Sequence, residues 1–300
     1  MQADFDYYDR IAARSIYPRS WADFIKSTAD DVAWAELKKD YSLATPQYGK
    51  TKIVYMLGGQ PGAGKSSAED KTMALLNENA LFISMDDYRK YHSLYNEIIE
   101  KHGKEASRYT HLFAGEIADI IVEKAIKYRY NFILEGTLKS YNNAAKHISH
   151  FKQNEYEVNM IVVTCPTIIS RLGNVERFER NLGSRYVPTD IHSDTVRLLP
   201  SSVQNIYDNF KNDIKEFVIQ NRYETLWEKG KDELPSKIIE NELSRCPTEK
   251  ELSFITDSFH RFNEKTRRQI ISLLNDEAKR FINDKPSHDF LQSVVSNLSK

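Results

Sequence analysis

The chain has 300 residues, 40% of them hydrophobic, so it can bury a sizeable core. Its 42 basic and 43 acidic residues give a formal net charge of −1, which provides no electrostatic case for nucleic-acid binding as the main task. The two cysteines, Cys165 and Cys246, are each followed by proline, which indicates neither a disulfide framework nor a zinc site. No apolar run has the length of a membrane span, and the first residues lack the apolar core of a signal peptide. We therefore expect a protein of the cytoplasm that acts on neither membranes nor nucleic acid.

Residues 1–50 are rich in aromatic and charged side chains, and their apolar residues recur at helical spacing. We expect two or three short helices, with Ser20 and Ser27 as candidate caps. Helices that pack on the main domain and extend its core are the simpler interpretation, and a regulatory segment is the alternative.

The clearest motif lies between residues 52 and 76. An apolar run typical of a buried strand enters a glycine-rich turn that closes on Lys65 and Ser66, and a helix-favouring stretch follows. This is the context of a phosphate-binding P-loop, in which backbone N–H groups converge on a triphosphate, Lys65 neutralises its β- and γ-phosphates and Ser66 joins the Mg²⁺ shell. A chance glycine-rich turn is the alternative. The predicted nucleotide-binding residues are Gly59, Gln60, Pro61, Gly62, Ala63, Gly64, Lys65, Ser66 and Ser67.

Two further predicted strands end in acidic residues. The run 80–85 leads into Asp86 and Asp87, and the run 130–134 leads into Glu135-Gly136-Thr137, with a crossover helix predicted over 113–128. Parallel α/β sheets bind ligands at such strand ends, and one of these carboxylates is surplus to metal binding, which suggests an acceptor site. Asp86 could take the proton of an acceptor hydroxyl, or could instead cap the following helix. Glu135 must bind a ligand or pair with a cation, because an unpaired carboxylate is costly to bury.

The remaining pattern continues the alternation of helix and strand. It predicts a helix near 141–151, a strand over 158–164, a helix over 167–181, a loop over 183–188, helical periodicity over 193–219 and a short strand over 223–227. Past residue 230 the composition is helical, with a capping box at Thr248 and Glu251 and an apolar stripe of Ile270, Ile271, Leu274, Ala278 and Phe281 on the last long helix. We predict an α/β protein with a kinase-like parallel sheet flanked by helices. The predicted units are a helical extension over 1–50, a P-loop domain over 51–222 and a helical extension over 223–300.

The basic residues between 171 and 185 distinguish among the classes of P-loop protein, which include energy-coupling machines, switches and small kinases. Arg177 on a helix and Arg185 in the following loop fit the mobile lid of a small kinase, where cations close over the γ-phosphate and are worth roughly a thousandfold in rate. Arg171 and Arg180 are better explained as solvated surface residues or as members of ordinary ion pairs. Tyr88 and His92 could line the acceptor pocket, although a single histidine is equally well explained as a satisfied polar residue.

Several motifs together resemble the zeta toxin family of bacterial toxin–antitoxin systems. They are the loop Gly58 to Ser66, Asp86 with Tyr88, Arg89 and His92, Glu135-Gly136-Thr137, Leu172-Gly173 with Glu176 to Glu179, and Arg185 leading to Pro188 and His192. Their order and spacing agree over residues 52 to about 220. Three positions depart from the family pattern: Ser93 follows His92 where proline is usual, Asp87 adds an acidic charge, and Lys139 stands where arginine is common.

The resemblance implies an ATP- and Mg²⁺-dependent kinase that phosphorylates the 3′-hydroxyl of the amino sugar of UDP-N-acetylglucosamine. It implies that Lys65, Asp86, Arg177 and Arg185 carry the catalysis, with Ser66 on the metal. The implied substrate-binding residues are Asp86, Tyr88, Arg89, His92, Glu135 and Thr137. A kinase of another hydroxylated metabolite, antibiotic or nucleoside is the alternative, as is a nucleotide-dependent regulatory protein that barely turns over.

The resemblance also implies an inhibitory partner. In zeta systems a separate antitoxin inserts a helix that blocks the ATP site, so residues 1–50 could inhibit in cis or belong to a partner's docking surface. The C-terminal helices could hold an antitoxin, or could simply pack on the sheet. The sequence leaves open the acceptor, the oligomeric state and the preference for ATP over GTP.

Overall fold

The computed structural model describes residues 29–180 and 186–299 of the chain. Within them lies a sheet of six strands in the order β2-β3-β1-β4-β5-β6. The first five are parallel, and β6 pairs antiparallel with β5. The strands are β1 (Lys52–Gly59), β2 (Leu81–Ser84), β3 (Phe132–Glu135), β4 (Tyr156–Val163), β5 (Ile214–Gln220) and β6 (Thr225–Glu228).

Helices cover both faces of this sheet and form one apolar core on each. The helices of the first core are α1 (Asp30–Asp40), α4 (Ala106–Lys127), α5 (Tyr141–Gln153), α7 (Thr189–Phe210) and α8 (Pro235–Ser244). Those of the second are α2 (Lys65–Leu75), α6 (Thr167–Arg180), α9 (Glu249–Thr256), α10 (Glu264–Arg280) and α11 (Lys285–Leu298). The short helix α3 (Tyr95–His102) packs on α4. The predicted α/β fold with a parallel sheet flanked by helices is confirmed.

The central strand β1 explains this layered arrangement. Its side chains alternate between the two cores, with Val54 and Met56 on one face and Tyr55 and Leu57 on the other. A strand that is buried on both faces reads as a continuous apolar run, as this one does. In the parallel register Leu57 lies beside Glu135, and Glu135 lies beside Ser84, so the strands β1, β2 and β3 end at one edge of the sheet.

The described part of the N-terminal extension contains one helix, α1, which packs on α4. Trp34 stacks on Tyr128 with ring centroids 5.7 Å apart, and Lys124 lies 2.9 Å from Asp30 and 2.8 Å from Asp31. With Ala33 and Leu37 in the core, α1 extends the main domain, as the simpler interpretation predicted. The candidate caps Ser20 and Ser27 lie outside the described residues.

The structure corrects the prediction of helical periodicity over 193–219. The helix α7 ends at Phe210, and residues 214–220 form the strand β5. Phe210 and Ile214 are four residues apart, which imitates a helical face, but Phe217 and Ile219 are buried by pairing with β4. The sheet pairing therefore decides the conformation of this segment.

The C-terminal segment is helical, as predicted, but the helix that carries the apolar stripe is not the last one. The apolar stripe lies on α10, which ends at Arg280, and α11 follows it. The capping box at Thr248 and Glu251 is confirmed. The domain boundary at residue 222 stays a prediction, although β6 joins the main sheet beyond it.

Across residues 29–180 and 186–299, no helix combines the length and apolar composition that a membrane crossing requires.

The capping box provides a test of the C-terminal segment. The Oγ1 of Thr248 accepts a hydrogen bond from the Glu251 backbone N–H at 3.2 Å, and an oxygen of Glu251 accepts one from the Thr248 N–H at 2.8 Å. We expect T248A to lower the free energy of unfolding by about 1 kcal/mol, because one backbone donor of α9 loses its acceptor. Urea denaturation measures the change. The matched control T248S keeps the hydroxyl and should stay close to the parent, so equal losses in the two variants would contradict the cap.

Candidate active site

The phosphate loop packs so tightly on its neighbours that two positions have no room for a side chain. Gly59 has a φ of +138°, and a Cβ there would lie 1.9 Å from the Val163 carbonyl oxygen. Gly62 has a φ of +83°, and its Cβ would lie 2.2 Å from the Ser170 carbonyl oxygen. Only glycine fits both the conformation and the space. The loop therefore keeps its backbone bare, as a phosphate cradle requires.

Other residues of the predicted cradle divide into buried and accessible ones. Gln60 is fully buried, and its amide donates to the Cys165 carbonyl at 2.8 Å, so it anchors the loop to the end of β4. Pro61 and Ala63 are also buried. Ser66 is exposed and Ser67 half-buried at the start of α2. The two hydroxyl groups and Lys65 are thus the accessible polar side chains of this turn.

Lys65 joins the loop to the tip of β3. Its Nζ lies 3.2 Å from Oε1 of Glu135 and donates to the Gly59 carbonyl at 3.2 Å. The other carboxylate oxygen of Glu135 accepts a hydrogen bond of 2.7 Å from Ser84, the last residue of β2. The expectation that Glu135 needs a cation or a ligand is met here by Lys65. Ser84 was missed by the sequence reasoning, although its place directly before Met85-Asp86 marks the end of a strand.

A second ion pair follows β2. Asp86 lies in a 3₁₀ helix, Met85–Tyr91, and its Oδ1 accepts a hydrogen bond of 2.8 Å from Nε of Arg89. The guanidinium of Arg89 is buried and also donates to the Ser107 carbonyl at 2.8 Å and to Thr110 at 2.9 Å. Asp86 is therefore held in place from α4 and does not serve as the N-cap, which is Ser84. This geometry gives Arg89 a role in positioning Asp86.

Tyr88 and His92 lie deeper than a pocket lining would. Tyr88 is 3% exposed, and burial raises the pKa of its phenol well above the ordinary value. His92 is 6% exposed, its Nδ1 accepts from the Leu94 N–H at 3.2 Å, and its ring meets Phe113 edge-on. Burial lowers the pKa of His92, which keeps the imidazole neutral. These contacts favour the alternative that His92 is a satisfied core residue, and substrate contacts by either residue stay predictions.

The loop after β3 folds back over β1. The Gly136 N–H donates to the Leu57 carbonyl at 2.9 Å, and Leu138 covers Gly58 so closely that a Cβ there would lie 2.1 Å from its Cδ1. Thr137, between them, is half-buried at the same strand end as Glu135. Its role in substrate binding stays a prediction that this position allows.

The predicted lid arginines are only partly described. Arg177 is half-buried in the last turn of α6. Two residues further on, Glu179 accepts hydrogen bonds from Thr266 at 2.7 Å and Asn263 at 3.1 Å, which fasten this end of α6 to α10. Arg185 lies outside the described residues.

A buried pair that the sequence reasoning did not single out supports the loop from below. Ser170, whose carbonyl faces Gly62, shares a hydrogen bond of 2.8 Å between its hydroxyl and Nε2 of His192 on α7. His192 is 1% exposed, and burial, with a smaller contribution from Arg171, lowers its pKa to about 4. Its neutral imidazole therefore ties α6 and α7 together under the phosphate loop.

The residues of the phosphate loop and of the neighbouring strand ends fit a nucleoside triphosphate with Mg²⁺. Glycine at 59 and 62 lets the loop pack against the Val163 and Ser170 carbonyls, and Lys65 lies where it can exchange Glu135 for phosphate oxygens. No group of three or more metal-binding side chains lies within the described ranges. Mg²⁺ bound to a nucleotide does not need one, because it keeps water and phosphate oxygens and takes one or two protein ligands, for which the Ser66 hydroxyl is accessible.

Comparison with known proteins places this site in a family. The family profile described as "Zeta toxin" matches residues 35–232. The toxin zeta of Streptococcus agalactiae is 25% identical over 163 residues, 53% of this chain and 57% of that protein. Toxin PezT of Streptococcus pneumoniae serotype 4 is 32% identical over 130 residues, 43% of this chain and 51% of that protein. The chain thus spans about half the length of the curated relatives it matches.

Solved structures share the fold. A structure of the PezAT chromosomal toxin–antitoxin system of Streptococcus pneumoniae matches with a TM-score of 0.65 at 20% identity, covering 82% of this chain and 97% of that one. A structure of AvrRxo1-ORF1 with its ORF2 partner and ATP matches with a TM-score of 0.57 at 12% identity, covering 84% and 85%. The sheet and its loop define a P-loop protein of the kinase-like class. The family profile covers more than half of the chain, and the chain therefore belongs to the zeta toxin family.

The pair between Ser170 and His192 predicts a pH dependence of stability. The pKa of His192 in the folded chain, about 4, lies below the ordinary value of 6.5, so between these values the unfolded chain binds more protons. This contribution to stability is complete above about pH 6.5 and is lost as the pH falls toward 4. Between about pH 6.5 and pH 4, we expect the free energy of unfolding of H192Q to fall by about 2–3 kcal/mol less than that of the parent. Urea denaturation at several pH values measures this difference.

The exposed His260 is the matched control, because H260Q removes a histidine without changing the support of the loop. Its stability should follow the pH profile of the parent. If H192Q also follows the parent profile, His192 does not titrate as described.

Proposed function

We propose that this chain is an ATP-dependent kinase of the zeta toxin type, which transfers the γ-phosphoryl group of ATP to the 3′-hydroxyl of the amino sugar of UDP-N-acetylglucosamine. The proposal extends the resemblance and the family membership to an activity. ATP and nucleotide sugars are cytoplasmic metabolites, so the cytoplasm is the compartment that we propose for it.

One observation carries the proposal: two ion pairs lie at neighbouring strand ends on the same side of the phosphate loop. Lys65 and Glu135 link the loop to β3, and Asp86 and Arg89 follow β2, which is the next strand of the sheet. Mg²⁺ bound to a nucleotide takes one or two protein ligands, so a second carboxylate fixed from α4 is surplus to metal binding. A kinase needs one, because a base must accept the proton of the acceptor hydroxyl.

In the proposed reaction, Asp86 accepts the proton of the sugar hydroxyl while the hydroxyl oxygen attacks the γ-phosphorus. The bond between that phosphorus and the bridging oxygen of ADP breaks, and ADP leaves with the bridging electrons. Arg89 holds Asp86 through one oxygen and so fixes the direction of the carboxylate. Glu135 and Thr137 bind the acceptor, Lys65 binds the phosphates, and Arg177 and Arg185 neutralise the migrating group. Mg²⁺, with Ser66 as its protein ligand, would neutralise charge on the triphosphate.

The direct test combines the protein with ATP, Mg²⁺ and UDP-N-acetylglucosamine and detects a product heavier by one phosphate by mass spectrometry. We expect this product from the parent. The variant D86N should transfer at least about a hundredfold more slowly, because it lacks the base, while its ATP affinity stays within about twofold.

The neighbouring carboxylate provides the matched control. D87N makes the same chemical change one residue away, and we expect it to keep most of the activity. Thermal unfolding of both variants checks the fold, since Arg89 loses a charged partner in D86N. Normal transfer by D86N would exclude Asp86 as the base. If another hydroxylated compound is phosphorylated and the nucleotide sugar is not, the proposed acceptor is wrong and the proposed phosphoryl transfer stands.

We further propose that a separate antitoxin controls the site. The matched structures of PezAT and of AvrRxo1-ORF1 with ORF2 are, by their descriptions, a toxin–antitoxin system and a two-protein complex. Inhibition in cis is the alternative. The described part of the N-terminal extension supports a structural role, because Glu36 of α1 accepts hydrogen bonds from Lys90 at 2.9 Å and Tyr91 at 2.6 Å, beside the Asp86 segment.

Deleting residues 1–28 separates these alternatives, because the shortened chain keeps α1 and its core residues Ala33 and Leu37. We expect its ATP affinity, measured by calorimetry, to equal that of the full chain. Clearly tighter binding by the shortened chain would contradict this expectation and assign the inhibition to residues 1–28.

A further inference from the structure

The topology gives the phosphate loop two unequal sides. Strand β1, which carries the loop, lies between β3 and β4. The acceptor residues Asp86 and Glu135 follow β2 and β3, so they occupy one side. A donor nucleotide held by its phosphates must extend its ribose and base toward the other side, where the loops after β4 and β5 lie.

On that second side, Arg222 reaches the loop. It follows β5 by two residues, and a Cβ on Gly64 would lie 3.0 Å from both its Nε and its Nη2. Its guanidinium carbon is 6.0 Å from the ring centroid of Phe254 on α9. The Arg222 side chain is exposed, and within residues 29–180 and 186–299 it has no hydrogen-bond or carboxylate partner. A planar cation thus lies between an aromatic ring and the phosphate loop.

The backbone that carries Arg222 is held rigidly. Asn221 is buried, and its Oδ1 accepts hydrogen bonds from the N–H groups of Tyr223 at 2.8 Å and Glu224 at 2.9 Å. Its amide nitrogen donates to Glu242 of α8 at 3.3 Å. These three contacts fix the turn that begins at Arg222.

The same network extends to the helix of Phe254. Arg245 binds both oxygens of Glu242 at 2.7 Å, and it also pairs with Glu251 of α9. Glu242 and Glu251 are buried, so removing Arg245 would leave two carboxylates without their cation. The ion pairs therefore hold the Arg222 turn and the Phe254 helix in one relative position.

We propose that Arg222 and Phe254 form the subsite for the base of the donor nucleotide. The base stacks on the outer face of the Arg222 guanidinium, and Phe254 supports the guanidinium from behind. The proposal rests on the proposed function in taking a nucleoside triphosphate as the donor. It adds that the C-terminal helices complete the nucleotide site, since Phe254 lies beyond the residues 35–232 that the family profile matches.

The competing role for Arg222 is contact with a phosphate, and the choice of probe separates the two. Calorimetry with ATP and with inorganic tripolyphosphate, each with Mg²⁺, measures binding with and without a base. We expect R222A to weaken ATP binding about tenfold and to leave tripolyphosphate binding unchanged. R222K, which keeps the charge but loses the plane, should show most of the same loss.

Two further variants complete the test. F254L keeps apolar volume but removes the aromatic support, and we expect it to weaken ATP binding about threefold without affecting tripolyphosphate. R261A removes an exposed arginine of a neighbouring turn and should change neither affinity. Thermal unfolding confirms that each variant is folded.

If R222A weakens the binding of ATP and of tripolyphosphate equally, Arg222 is a phosphate ligand. If R222A leaves ATP binding unchanged, Arg222 is not part of the site. Either result overturns the proposal. Normal ATP binding by R222K would also overturn the proposal, because lysine keeps the charge of Arg222 but has no planar group on which a base can stack. These results are distinct from failure of the proposed function. A parent that binds ATP but phosphorylates no acceptor would refute the kinase and leave the subsite standing, whereas a parent that binds no ATP would refute both.

Discussion

The close approach of the phosphate loop to the backbone of β4 and α6 is the constraint on which the rest of the structure depends. The carbonyl groups of Val163 and Ser170 occupy the space that side chains at Gly59 and Gly62 would need. This contact requires β1 and β4 to pair along their full lengths, and their register runs without a break from Lys52 to Gly59. It also requires α6 to start directly under the loop, where His192 holds it through Ser170. The bare backbone that can hold phosphates is therefore a product of packing as much as of sequence.

The second organising feature is that the charges of the site are paired with each other. Lys65 pairs with Glu135, and Asp86 pairs with Arg89, so each of these four charges has a partner before any ligand binds. Such pairs contribute little net stability, because desolvation offsets most of their attraction. Their value lies in position, since they fix the groups that must meet two substrates. In the proposed reaction a triphosphate replaces Glu135 at Lys65, which frees Glu135 to bind the acceptor.

The C-terminal helices take part in the site through the elements that they hold. Thr266 and Asn263 fasten the end of α6 that carries Arg177, and the ion pairs of Arg245 fasten the turn after β5 to α9. The last helices also fill the core on the loop side of the sheet, with Ile270, Leu274 and Leu291 fully buried. A segment that sequence reasoning treated as an extension thus packs into the same apolar core as the helix that follows the phosphate loop.

Much of the arrangement could be predicted from local patterns. The phosphate loop, the acidic strand ends and the capping box at Thr248 all depend on residues close in sequence, and the motifs identified the family. The strand β5 could not be predicted in this way, because the spacing of Phe210 and Ile214 fits a helix as well as a strand. That error also concealed Arg222, whose position at the end of a parallel strand is the signal that could have drawn attention to it.

By itself, the sequence determined which residues could carry phosphate chemistry, because glycine, lysine and carboxylate side chains at these fixed spacings suit few tasks besides holding a triphosphate. Only the tertiary structure decided their partners. It paired Lys65 with Glu135, placed Arg89 behind Asp86, buried Tyr88 and His92 in the core, and brought Arg222 and Phe254 to the far side of the loop. The reason is physical: a local pattern specifies the conformation of a segment, whereas the cost of burying a charge or an aromatic ring depends on which distant segments pack against it.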